Sequence, residues 1–269
     1  MITQLRSLAN NGRHLGWLSF TVVWLLLMLV LPIVDWLSQG QAFGLMVTVV
    51  VVAQVGAVAA MARLDWSWRR LADVLATIGI GAWLAEMAGS RFGLIFGHYD
   101  YSGILQPQLA GVPVLIPLAW AMLLPPSWAI ASRFVSPRHT IRFALVSGLV
   151  FTAWDLYLDP QWVARGLWIW ETPGLYFGIP LSNYLGWVVT SAVLTYLIQP
   201  NDLADSALPL AGLYTVVAIT QAVALGLFWN QPGPALVGFV VMGGISAAYW
   251  WKMHRQNFAR FALRRVRRI

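Results

Sequence analysis

The sequence predicts an all-α fold, a polytopic transmembrane bundle of about eight helices, and three observations predict it. First, 59% of the 269 residues are hydrophobic and only 10% are charged, with a mean hydropathy of +0.69, whereas soluble domains carry about 25% charged residues. Second, the apolar residues form runs near the length of a membrane span. Third, the positive residues gather on one side of the predicted topology.

Eight apolar runs are close to the roughly 20 residues that a helix needs to cross the hydrocarbon core. Helices are expected because lipid cannot satisfy exposed backbone groups. The third and fifth runs are short, so seven spans are also compatible with the pattern. The first run is too long for a signal peptide and is interpreted as a retained helix. The runs cover residues 15–34, 42–61, 71–88, 112–132, 143–158, 179–198, 208–229 and 235–251.

The distribution of Lys and Arg predicts a multi-pass protein of the cell membrane with both termini in the cytoplasm. With eight alternating helices, 15 of the 17 Lys and Arg residues fall on the cytoplasmic side, as the positive-inside rule requires. Only Arg91 and Arg165 fall outside. Loops 89–111 and 159–178 are therefore expected outside.

Two domains are predicted, a transmembrane helical domain over 1–252 and a basic cytoplasmic tail over 253–269. Apolar residues recur at helical spacing in the tail, at Phe258, Phe261 and Val266, with arginines between them. This pattern predicts an amphipathic helix on the anionic inner leaflet. The alternative is an irregular basic tail that only sets the topology.

The composition excludes several kinds of site. The chain has no cysteine and only four histidines, three of them cytoplasmic in this topology, which argues against disulfides, thiolate metal sites and a histidine-rich di-iron centre. No phosphate-binding glycine motif follows a strand, and the positive charge is interpreted as a membrane-edge feature rather than a nucleic-acid site. No metal and no cofactor are therefore predicted.

The candidate catalytic residues are Glu86, Asp155, Asp159 and Asn183. The topology places all four near the outer end of the bundle. Carboxyl groups within apolar runs are costly and usually functional. Asp155 and Asp159 share a helix face if the helix continues to Pro160. The alternatives are an ion pair between Glu86 and Arg91 and a helix-end role for Asp159.

The candidate substrate-binding residues are aromatic side chains and one histidine in or beside the two outer loops. An interfacial aromatic belt is the alternative for this composition. The seven candidates are His98, Tyr99, Tyr101, Trp154, Trp168, Trp170 and Tyr176.

These stretches resemble the carotenoid biosynthesis protein family, whose characterised members are CruF-type carotenoid 1′,2′-hydratases. The resemblance is carried by Glu86 and by the segments 96–101, 111–120, 154–160, 166–170 and 176–187. It implies a cofactor-independent hydratase that adds water across the terminal (1′,2′) double bond of a linear carotenoid. The implied partners are the linear carotenoid, membrane lipid and other carotenoid-pathway enzymes.

The candidate residues suit such a reaction. Protonating an isolated alkene needs a carboxylic acid in its neutral form, which burial among apolar residues favours, and Glu86 or Asp155 is the candidate acid. Aromatic faces would stabilise the resulting tertiary carbocation. Asp159 is the candidate base for the attacking water, with Asn183 positioning that water.

Three other functions share parts of this pattern. A carotenoid end-group cyclase would begin with the same protonation. A lipid or carotenoid transporter would favour midplane charges and matched broken helices, whereas the acids here lie near one face. A prenyltransferase would use an aspartate motif such as Asp155-x-x-x-Asp159, but a second motif is missing.

Overall fold

The computed structural model is an all-α bundle, described here for the backbone of residues 2–266 and the side chains of residues 16–256. Two short strand pairs lie in the loops at one end. The helices are α1 (Ile2–Leu37), α2 (Phe43–Ala62), α3 (Trp68–Phe92), α4 (Leu115–Ala131), α5 (Thr140–Ala164), α6 (Leu181–Ile198), α7 (Ala207–Val223), α8 (Pro232–Gly238) and α9 (Gly244–Val266). The strands are β1 (Tyr99–Tyr101), β2 (Gln108–Leu109), β3 (Val112–Pro113) and β4 (Trp168–Trp170).

The predicted helix bundle is confirmed. Within residues 16–256, seven helical segments are long and apolar enough to cross a membrane, and α4, with 17 residues, is a shorter apolar helix. A π-helical turn, Ala224–Phe228, extends α7, and another, Phe239–Gly243, joins α8 to α9. Beyond Gln256 the side chains of the predicted amphipathic tail lie outside the described residues, and its amphipathic character stays a prediction. The orientation of the protein in the membrane also stays a prediction.

Two helices extend past the ends that hydropathy indicates. Helix α3 continues to Phe92 and α5 to Ala164, four and six residues beyond the apolar runs. The added part of α5 contains polar and aromatic residues that are buried in the protein, and the added turn of α3 contains Ser90 and the exposed Arg91, so hydropathy detects neither extension. As a result, Asp155 and Asp159 lie on one face of a continuous helix.

The proline inside α5 is accommodated by a side chain from the following loop. Pro160 has no N–H to donate to the carbonyl of Leu156 four residues earlier. The Tyr176 hydroxyl donates to that carbonyl over 2.9 Å. The acceptor that the proline leaves free is thereby satisfied, and the helix continues through the two aspartates.

A side chain also replaces a missing backbone donor at the prolines of α4. Pro126 cannot donate to the carbonyl of Met122, and the Gln54 amide of α2 donates to it over 3.4 Å. The Gln54 side-chain oxygen accepts a 3.0 Å hydrogen bond from the Trp24 indole of α1. This buried polar chain connects α1, α2 and α4.

An antiparallel strand pair joins the two loops at the acidic end. Tyr99 pairs with Trp170 and Tyr101 with Trp168, with Asp100 opposite Ile169 between them. Because strand side chains alternate between faces, the two tyrosines and two tryptophans point into the bundle while Asp100 and Ile169 are exposed. From the sequence alone both segments are predicted to be loops, so the strand pairing is new information from the structure.

Helices α5 and α6 approach each other closely. A Cβ at Gly148 of α5 would lie 2.6 Å from the Val188 carbonyl of α6, so a larger residue would force the helices apart. This contact positions the first turn of α6 against the aspartates of α5.

Candidate active site

Four buried polar residues meet at one end of the bundle. Glu86 lies in the last two turns of α3, Asp155 and Asp159 in the second half of α5, and Asn183 in the first turn of α6. Each is at most 4% exposed. The helices therefore bring together residues separated by about a hundred positions in the chain.

Glu86 is held by three neutral donors. The hydroxyls of Tyr99 and Tyr101 both donate to its Oε2, the latter over 2.8 Å, and the Trp120 indole donates to Oε1 over 3.1 Å. Burial, followed by the negative charge of Glu86, raises the pKa of both phenols well above the usual value. The tyrosines therefore remain neutral donors, and their hydrogen bonds to Glu86 favour its carboxylate form, whereas burial without a cation favours its neutral form.

The ion pair of Glu86 with Arg91, one of the alternatives, does not form in this structure. The Arg91 guanidinium instead donates to the Ala110 carbonyl over 3.1 Å. Among the described residues, the ion pairs are Arg70 with Asp202 and Arg165 with Asp35. Glu86 therefore lies in its site without a cation.

Asp155 and Asp159 form a second carboxyl site, bridged by one amide. The Asn183 Nδ2 donates to Oδ2 of Asp155 over 2.8 Å and also to Oδ2 of Asp159. Since both oxygens contact the same nitrogen, the carboxyl groups are immediate neighbours. Two carboxylates this close in a buried site cannot both be ionised at low cost. The pair is expected to hold one proton.

A small cavity of about 20 Å³ lies between the two carboxyl sites. A water needs roughly 10–15 Å³ of such space, so the free space of the cavity corresponds to about one water. Its lining residues are Glu86, Tyr99, Tyr101, Ile116, Ala119, Trp120, Leu158, Asp159, Trp162, Trp168, Trp170, Asn183 and Trp187.

The cavity walls are largely aromatic. Tyr99 packs on Trp170 with ring centroids 4.8 Å apart, and Tyr101 meets Trp168 edge-on at 5.9 Å. Across the cavity, Trp120 stacks on Trp187 at 4.8 Å. The indole N–H groups of Trp168 and Trp170 are buried with no partner among the described residues. The arrangement surrounds any bound group with π faces that attract cations.

The structure brings most of the candidates together and separates the rest. Seven of the eleven line the cavity, namely Glu86, Tyr99, Tyr101, Asp159, Trp168, Trp170 and Asn183. Asp155 lies behind Asp159, and Trp154 lines a neighbouring apolar cavity. His98 is exposed, and Tyr176 supports the Leu156 carbonyl.

Three tryptophans of the cavity wall are not among the candidates, Trp120, Trp162 and Trp187. Each had a signal in the sequence. Trp120 and Trp187 end two of the segments that carry the family resemblance, and Trp162 lies three residues after Asp159, on an adjoining face of the same helix.

Among residues with described side chains, no group of three or more His, Asp and Glu residues has the arrangement of a metal site. The independence of the protein from metals and cofactors stays a prediction.

Over 135 residues the chain is 32% identical to a bisanhydrobacterioruberin hydratase of Haloarcula japonica. The match covers 49% of this chain and 45% of that protein. The chain thus matches less than half the length of that relative. No solved structure matches.

The model of the carotenoid biosynthesis protein family matches residues 43–245. This range covers about three quarters of the chain and includes every residue of the cavity wall. The chain therefore belongs to the carotenoid biosynthesis protein family.

Proposed function

We propose that the protein is a carotenoid hydratase, which adds water across the terminal (1′,2′) double bond of a linear carotenoid without a cofactor. The observation that carries this proposal is the one-water cavity with Asp159 on one wall, Glu86 on another and aromatic rings between them. Membership of the family and the name of the Haloarcula relative support the same reaction class.

The proton donor in this proposal is the Asp155–Asp159 pair. One proton is shared by the two neighbouring carboxyls, and Asp159 faces the cavity. Asp159 transfers it to C2′ of the alkene, so the π bond becomes a C–H bond and a tertiary cation forms at C1′. The transfer leaves both carboxyl groups ionised, and the Asn183 amide, which donates to both of them, and the adjacent cation stabilise the two negative charges. This assigns to Asp159 the opposite role from the base suggested by the sequence alone.

The base in this proposal is Glu86. Its three donors favour the carboxylate, which attracts the cation and accepts a proton from the attacking water. The water oxygen bonds to C1′, and transfer of the proton from Glu86 back to the aspartate pair restores the starting state. The net change is one alkene and one water converted into one tertiary alcohol.

The aromatic walls have two roles in the reaction. They stabilise the cation by up to about 2 kcal/mol per desolvated contact. They also leave little room beside the reacting end group, which favours capture of the cation by one water over ring closure. A cyclase would instead need space beside the cation for the polyene to fold back.

The source of the hydroxyl oxygen tests this mechanism. Cells or membranes that contain a linear carotenoid and this protein should form the tertiary alcohol without oxygen gas, and product made in ¹⁸O-labelled water should carry the label. Label from O₂ would contradict hydration. A ring-closed product without oxygen would identify a cyclase, and an unchanged carotenoid moved between membranes would identify a transporter.

A further inference from the structure

A second, larger cavity lies beside the acid site. It has a volume of about 390 Å³, within the range of small-molecule binding sites. Its wall is mostly aliphatic and aromatic, with polar contributions from Gln54, Gln161, Thr220 and Gln221. Trp154 is the one candidate site residue in its lining.

The two cavities share a wall on α5. Leu158 and Trp162 line both of them. Positions four residues apart lie on one helix face, so Trp154, Leu158 and Trp162 form one stripe, and Asp155 and Asp159 form the adjacent stripe. A linear molecule in the large cavity would therefore have its end next to the proton donor.

The large cavity opens sideways between α1 and α7. Its deep residues, such as Val51 and Val217, are buried, while rim residues from both helices are exposed. Leu29 of α1 is 52% exposed and Ile219 of α7 is 50% exposed. Both helices are candidate membrane spans, so this rim faces the hydrocarbon of the bilayer. The π-helical turn Ala224–Phe228 lies at the same rim, and such turns are frequent at functional sites.

We propose that the large cavity binds the polyene arm of the linear carotenoid, which enters from the bilayer between α1 and α7 and places its end group at the wall of Leu158 and Trp162. The proposal rests on the hydratase function for the identity of its occupant. A linear carotenoid dissolves in the bilayer, so a lateral opening admits it without exposing apolar surface to water. The contiguity of the cavity with the acid site favours the substrate over a lipid acyl chain.

Two pairs of variants test the proposal by binding. Val51→Phe fills the deep cavity, and Leu29→Trp narrows its rim. Their matched controls are Val52→Phe and Leu26→Trp, which add the same bulk at exposed positions, 52% and 57% exposed, that do not line the cavity. All four are placed in an Asp159→Asn background so that the bound carotenoid is not converted.

The measured quantity is the linear carotenoid that co-purifies per protein from cells that make it. We expect stoichiometric pigment in the background and control proteins and about tenfold less in the two cavity variants, a loss that from a saturated site requires affinity to fall by more than tenfold. Equal elution volume and circular dichroism would show that each variant is folded, and Leu29→Trp, at an exposed position, remains informative if Val51→Phe does not fold.

The outcomes separate this proposal from the proposed function. If the cavity variants retain as much carotenoid as their controls, the large cavity does not bind the polyene arm and the proposal is wrong. A protein that co-purifies with phospholipid but no carotenoid would also overturn it and indicate an acyl chain. If the expected binding pattern holds while the unmodified protein makes no alcohol, the binding site stands and the hydratase function fails.

Discussion

Two groups of buried carboxyls lie at the same end of this bundle and differ in their partners. Asp35 of α1 forms a 2.6 Å ion pair with Arg165 and accepts a 2.8 Å hydrogen bond from the Trp229 indole. Glu86, Asp155 and Asp159 have only neutral donors. A carboxylate beside an arginine has its charge neutralised in the folded state, whereas carboxyls without a cation remain free to exchange protons.

This difference suggests that the Asp35–Arg165 pair stabilises the fold and that the carboxyls without a cation take part in catalysis. The Arg165 guanidinium also lies over the Phe43 ring, 3.7 Å from its centroid, so the Asp35 site connects α1, the start of α2 and the end of α5. The second group surrounds a one-water cavity instead. Burial and hydrogen bonding alone do not distinguish the two groups. The presence of a cation does.

The largest expected effect is on catalysis by the group without a cation. Asp159→Asn and Glu86→Gln keep the shape of each side chain but remove proton transfer, and each should lower the rate of alcohol formation about 10²–10⁴-fold. The amount of folded protein should not change. The rate is measured as product per folded protein in carotenoid-containing membranes.

Asp100→Asn is the matched control for these variants. Asp100 lies between two tyrosines of the site but is exposed on the outer face of its strand, so the rate should be unchanged. If Asp159→Asn and Glu86→Gln both kept full activity, the assignment of chemistry to this group would be wrong.

The paired group should instead control stability. Asp35→Ala leaves Arg165 without its partner. Breaking a fully buried pair costs about 3–5 kcal/mol, and because the Arg165 side chain is 21% exposed the loss should lie near or below the lower end of that range. The double variant Asp35→Leu/Arg165→Met should cost less, because no unpaired charge remains. Unfolding in detergent measures both effects. Normal stability together with lost activity in Asp35→Ala would show that Asp35 acts in catalysis rather than in stability.

Aromatic walls should contribute less than the acids to the rate. Trp168→Leu removes one of several rings that surround the cation, and a loss of up to about 2 kcal/mol corresponds to a decrease of roughly 30-fold or less. Ile169→Leu, at the exposed position between the two tryptophans of β4, is the control and should have no effect. A loss as large as that of Asp159→Asn would indicate that Trp168 has more than a cation-stabilising role.

The smallest expected effect concerns a neutral contact near the site. Tyr176→Phe removes the hydrogen bond to the Leu156 carbonyl and should lower the free energy of unfolding by about 1 kcal/mol. In a Pro160→Ala background, a backbone N–H becomes available to the same carbonyl, so Tyr176→Phe should cost less. A double-mutant cycle measures this coupling. Equal costs in both backgrounds would show that the proline does not determine the role of Tyr176.

The sequence alone determined the class of the protein and the end of the bundle where its acids gather. Hydropathy and charge are local properties, so they identify apolar spans and place Glu86, Asp159 and Asn183 near one end. The spacing of Asp155 and Asp159 also predicts a shared helix face, and both accept hydrogen bonds from Asn183 in the structure.

Strand pairing and helix packing determine which side chains share a cavity. The pairing of β1 with β4 aims two tyrosines and two tryptophans inward, while helix packing adds Trp120, Trp162 and Trp187 and leaves His98 exposed. It also opens the larger cavity beside α5. The volume of a cavity depends on how distant segments pack against each other, so it cannot be predicted from a local sequence pattern.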